Sequence, residues 1–288
     1  MEKYYSCRQE LRKNLHLPFL LLGVAGIFML LMTGTVYTDE HLKNHLFLQF
    51  LFEKNKEAII KRYSINAYSV LRSGTGVWFY DFLPAFLVSG YMYNLSSERK
   101  NGGLRFMMVR ESISTYCFSK LLSLMISGAV ITFSAGAIYA GVVFGMFPGK
   151  KVMDEYMIQT YPVIYGNGSL ESIIIVWLFE MFILGALAVV PGYLAGIFFN
   201  DRYMLICVPI LINYVYSQVL QKIEMIFLEK EKYDIYDKTG TYKLSNLFYR
   251  FGSVRWRKTI ILYLSFTIIL YICFCLVVKR HRKRGIYA

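Results

Sequence analysis

The positions at which this sequence can do chemistry are ionisable and polar side chains set inside long apolar runs. Glu180 is the deepest of them, within the run 172–199, and Asp81 lies near the start of the run 77–95. A carboxylate at the centre of a membrane span costs about 2.5–3.5 kcal/mol, so one retained there faces a cavity, a partner helix or an interface. At 100° per residue Asp81, Ala85, Ser89 and Met92 fall within about 80° of one another, which gives that helix a single small or polar stripe. Asn213, Ser217, Gln221 and Glu224 form a second stripe of the same width. Asp81, Ser89, Glu180, Asn213 and Ser217 are therefore the candidates to line a polar path, with pairing inside a helix bundle as the alternative role.

Other chemistries lack their residues. His41 and His45 are spaced to share one helix face, half of a metal site that nothing nearby completes, so both are expected at the surface. Cys273 and Cys275 point about 200° apart on a helix, which argues against shared metal ligation, and no pair of the five cysteines falls in a predicted outer loop. Gly149-Lys150 is followed by Lys151, and Phe144 stands where a phosphate-cradling loop requires glycine. There is no H-E-x-x-H helix and no G-x-S-x-G elbow. The expectation is a chain without catalytic residues, metal or cofactor of its own.

The elements that must position these residues follow from composition. With 56% hydrophobic and 18% charged residues and a mean hydropathy of +0.41, the 288-residue chain is too apolar for an ordinary soluble domain. Apolar runs predict six transmembrane helices at 17–37, 77–95, 121–147, 172–199, 203–220 and 259–278. The fold class expected is an all-α polytopic membrane protein, one domain over 1–288. Tyr4, Cys7, Leu11 and Leu15 share one face of an N-terminal amphipathic helix expected to lie on the membrane surface. No small-residue cleavage site follows the first run, so a removable signal peptide is not expected.

The segments 38–76 and 229–258 are expected outside; in the first, L-F-L-Q-F-L-F is too short to cross and predicts an interfacial or folded-back helix. Gly128, Thr132, Gly136 and Ala140 repeat small residues every four positions, a spacing for close helix approach. Pro191-Gly192 predicts a kink in the fourth span.

The net charge of +13 sits beside the apolar runs, which favours anionic lipid headgroups over nucleic acid as the partner. The basic cluster 279–284 directly after the last span fits the same role. Six spans place both termini on one side, and the lysines and arginines, Lys222 left aside, divide 15 to 16 between the two sides. The cytoplasmic assignment of the termini rests on the packing of the first set against span ends. Between the second and third runs, Glu98 to Lys120 is basic and broken by Gly102 and Gly103, yet carries Leu104, Phe106, Met107, Met108 and Val109. Apolar residues in so charged a connector suit a segment that docks onto something.

The run from Asp81 to Lys120 resembles part of the type-2 ATP-binding-cassette exporter permeases. The likeness lies in a span ending at Glu98-Arg99, the glycines at 102 and 103, a short apolar stretch to Arg110, the step Ser114-Thr115-Tyr116, and Ser119-Lys120. The resemblance implies a cytoplasmic coupling helix contacting a separate ATPase subunit, which holds the ATP and magnesium, with Glu98, Gly102, Gly103, Arg105 and Arg110 at the contact. It implies a second permease subunit, in a homo- or heterodimer, and a translocation path lined by the candidates above. The alternative is a non-transporting membrane protein, such as a sensor, immunity or assembly factor, docking a partner through its basic segments.

Overall fold

The computed structural model describes residues 2–37, 44–47, 51–52, 54–62, 65, 67–100, 112–147, 170–199, 201–229 and 254–283. Its elements are predominantly helical. In chain order they are α1 (Glu2–Asn14), α2 (Leu17–Met32), β1 (Thr35–Tyr37), β2 (Asn44–Leu46), α3 (Lys56–Arg62), α4 (Ala67–Ser73) and α5 (Val77–Lys100). There follow α6 (Ile113–Met146), α7 (Leu170–Ala188), α8 (Val190–Phe198), α9 (Arg202–Glu229) and α10 (Val254–Lys283).

Among the described residues, α6 and the Ile260–Arg280 part of α10 are long and apolar enough to cross a membrane. A third candidate arises if α1 and α2, bent by 60° where they meet, count as one broken span. Two or three such helices are consistent with a membrane protein. The helix α6 is the hub: α7, α1 and α2 all pack on it, and its apolar window is 56% buried against 17% for that of α10. At 1.5 Å per residue its 34 residues reach about 51 Å, well beyond a ~30 Å hydrocarbon core. The predicted start at residue 121 is thus eight residues late, because Ser112 caps the helix by accepting a hydrogen bond from the Thr115 backbone N–H at 3.1 Å.

The small-residue stripe of α6 meets α7. A side chain added at Gly128 would lie 2.6 Å from the Gly185 carbonyl oxygen, and one at Gly185 would strike Thr132. Backbones this close require glycine on both sides. The expected single fourth span is divided at Val189 into α7 and α8, with Pro191 in the first turn of α8 where its missing N–H costs little. The fifth run continues to Glu229, so Gln221 and Glu224 belong to the same helix as Asn213 and Ser217.

The segment after the first run differs most from expectation. It contains an antiparallel ribbon, with Val36 opposite His45, so His45 sits in a strand and the shared helix face with His41 does not exist; His41 itself lies outside the described residues. The L-F-L-Q-F-L-F run starts in β2, its Leu46 being the last strand residue, and is not wholly the helix expected there. Phe47, Ile65, Ala67, Val70 and Leu71 all enter the main core, and the Tyr139 hydroxyl donates to the Val70 carbonyl at 3.0 Å. Burial of those apolar side chains outweighs the charges that make the segment look like a surface loop.

Candidate functional site

The adjoining ends of α1, α5 and α6 hold four charges. Lys120, eight residues into α6, is completely buried, and its ammonium pairs with Glu98 on the last turn of α5 at 2.7 Å. It also pairs with Glu10 of α1, itself 1% exposed. Lys13, one turn beyond Glu10, reaches Glu10 at 3.0 Å and Glu98 at 2.9 Å. Each lysine thus serves both carboxylates, and the cluster is neutral. The Lys120 ammonium lies 5.6 Å from the centre of the Tyr116 ring, a further cation–π contact.

Neutral amides extend the junction. Asn14 donates through Nδ2 to the Ser123 hydroxyl at 3.3 Å and accepts from Asn94 at 3.2 Å. The buried face of α1 is therefore its polar one, Glu10 and Asn14, while Cys7, Leu11 and Leu15 are half-buried. Paired charges and matched amides, and not the apolar stripe, thus supply the contact of α1 with the bundle.

Burial alone would push the Glu98 carboxyl up, but the charges and hydrogen bonds of Lys120 and then Lys13 hold it below the usual carboxylate range. Glu98 is thus an ionised side chain engaged within the chain. Gly102, Gly103, Arg105 and Arg110 lie outside the described residues. The other residues of the 112–120 stretch have structural partners: Ser112 and Thr115 cap α6, Ser114 meets the Tyr271 hydroxyl at 2.8 Å, and Ser119 donates to the Tyr116 carbonyl.

The candidates for a polar path lie on α5, α7 and α9. Asp81 is buried near the start of α5, and Ser89 donates to the Phe86 carbonyl of its own helix at 3.0 Å. Asn213 of α9 donates to the Tyr80 carbonyl at 2.6 Å, beside Asp81 in the chain, which joins α9 to α5. Ser217, one turn on, is half-buried. Asn213 also borders an apolar cavity of about 300 Å³ between α8, α9 and α10, with Ile212, Tyr216, Leu262, Tyr263 and Phe266. Glu180 is 4% exposed on α7; its Oε1 has no hydrogen-bond partner, and Arg72 of α4 is a charged neighbour.

Sequence reasoning missed Glu10 and Asn14 as site residues and took Lys120 only as part of a motif. The available signal was an acid at position 10 within a basic helix, one turn before Lys13. Among the described residues no group of three or more His, Cys, Asp or Glu is placed to hold a metal ion. No family model matches the chain, and neither a curated protein nor a solved structure matches it.

Proposed function

We propose that this chain is the membrane-spanning permease subunit of an ATP-binding-cassette exporter, with six spans, cytoplasmic termini and a second permease subunit beside it. A separate ATPase subunit docks on residues 98–110 and supplies the energy. The observation that supports this most directly is the ion pair between Glu98 and Lys120. It ties the ends of two long helices on either side of the short segment 101–111, with α1 packed alongside. A connector held on so rigid a base can pass a push from a docked motor into both helices. Glu98 then serves coupling by fixing the connector's base, and Arg110 by contact with the motor.

In this mechanism the ATP and ADP states of the partner bind the inward- and outward-open permease with different affinities, and that difference drives the change. Asp81, Ser89, Glu180, Asn213 and Ser217 line the translocation path, and Lys279 and Arg280, exposed at the end of α10, engage anionic headgroups. Co-purification under mild extraction is the test. A nucleotide-hydrolysing partner should accompany the wild type, Arg110→Glu should abolish its retention, and Glu98→Ala should weaken it. A chain that retains no such partner in any detergent or nanodisc refutes the proposal. For the path, Glu180→Gln should lower efflux by about tenfold with protein level nearly unchanged, as for an intramembrane charge with a working role. Lower abundance with unchanged efflux per molecule would make Glu180 a packing residue.

A further inference from the structure

The four-charge cluster divides into two neutral halves along the boundary between α1 and the bundle. Glu10 and Lys13 are paired with each other on α1, and Glu98 and Lys120 are paired across the ends of α5 and α6. Only the Lys120–Glu10 and Lys13–Glu98 contacts join the halves. Removing one charge from a buried pair strands its partner, and that is the expensive event. Separating two pairs that are each already neutral strands nothing. Asn14 completes the pattern, because its bonds to Ser123 and Asn94 are neutral ones that water can replace on both sides. An apolar contact of the same size would instead expose hydrocarbon surface on opening. The Cys7, Leu11 and Leu15 stripe, which would resist release, is only half-buried here.

We propose that α1 is a detachable clasp: it leaves the ends of α5 and α6 by parting between its two neutral ion pairs, while the rest of the bundle stays folded. Local opening of one element below the free energy of global unfolding is a general property of folded chains. Here the charge arrangement assigns it to a specific boundary. The clasp sits where α5 and α6 adjoin the segment 101–111, so its state sets how tightly those two helix ends are held. The inference does not depend on the exporter proposal.

Amide hydrogen exchange on the full chain in lipid nanodiscs tests it. In the wild type, residues 2–14 should exchange together, about tenfold or more faster than the centre of α6. The double variant Glu10→Gln, Lys13→Gln removes the neutral half on α1 and leaves Glu98–Lys120 intact. It should speed α1 exchange by about a further tenfold, with α6 exchange and the thermal midpoint of the bundle unchanged. Lys120→Gln strands carboxylates and should loosen α1 and the adjoining ends of α5 and α6 alike. A disulfide between Asn14→Cys and Ser123→Cys should slow α1 to the α6 rate, and reductant should reverse it. Two results overturn the proposal: α1 protected to the same level as the α6 core in the wild type, or the double variant unfolding α6 together with α1. Fast α1 exchange that persists under the disulfide also overturns it, because the helix would then be fraying in place.

Discussion

Glu98 and Lys120 act on each other before they act on anything else. Two lysines hold the Glu98 carboxyl below its ordinary value of 4.5, so its contribution to the clasp is complete above that pH and is lost as pH falls through the lower, folded value. The groups facing it are Lys13 and Lys120, with Glu10 across them. Exchange protection of α1 should therefore be level from about pH 8 down to the ordinary carboxylate range and fall only at pH below it. Protection lost near pH 6 would mean that another group governs the junction. Lys120→Met leaves Glu10 and Glu98 short of a cation and should cost about 3–5 kcal/mol, read as a lowered thermal midpoint in detergent. Adding Glu10→Gln removes a stranded charge and should recover part of that loss; a larger loss in the double variant would contradict the pairing. Glu98 and Lys120 were legible in the sequence as the borders of a connector. Glu10 and Asn14 were not, because periodicity marks an apolar face for burial and leaves a polar face to solvent by default. Only the chance to match every charge and amide reverses that default, and matching is a property of three elements at once.

At the scale of elements, the four-residue spacing of Gly128, Thr132, Gly136 and Ala140 announced a close helix approach, and the approach is present. The spacing could not name the partner, since Gly185 is a lone glycine on α7 with no stripe of its own. Gly185→Val should force α6 and α7 apart and cost about 1–3 kcal/mol by overpacking. Gly141→Val is the control: a side chain there meets nothing within 4 Å, and the thermal midpoint should stay within about a degree or two. Equal losses at both positions would show that the α6–α7 contact carries no special weight. The break at Val189 was legible from Pro191-Gly192. The inward placement of Phe47, Ile65, Ala67, Val70 and Leu71 was not, because they follow no single period and are contributed by a strand end, a coil and a short helix.

On the scale of the whole molecule, the contrast between α6 and α10 orders the architecture. Polar side chains of α6 such as Ser119, Ser123, Ser127 and Thr132 are buried, whereas Ile261, Ile268, Ile269, Ile272 and Leu276 of α10 are exposed. Exposed apolar side chains in such number are unfavourable in water and ordinary in lipid, which suits α10 to the edge of the described bundle and α6 to its centre. The six-span proposal then makes a definite claim about sides. Arg8 and Lys279, exposed on α1 and α10, should face the cytoplasm, and Lys56, half-buried on α3, should face outward. Single cysteines at these three positions, probed with a membrane-impermeant maleimide on intact cells and then on opened membranes, decide it. Label reaching position 56 in intact cells, and positions 8 and 279 only after opening, is the expected result. If position 56 behaves like position 8, the run 17–37 does not cross, and the count of six fails. If positions 8 and 279 fall on opposite sides, an odd number of spans separates them. The segment 101–111 then has to be assigned a side by labelling of its own before any motor can be placed on it.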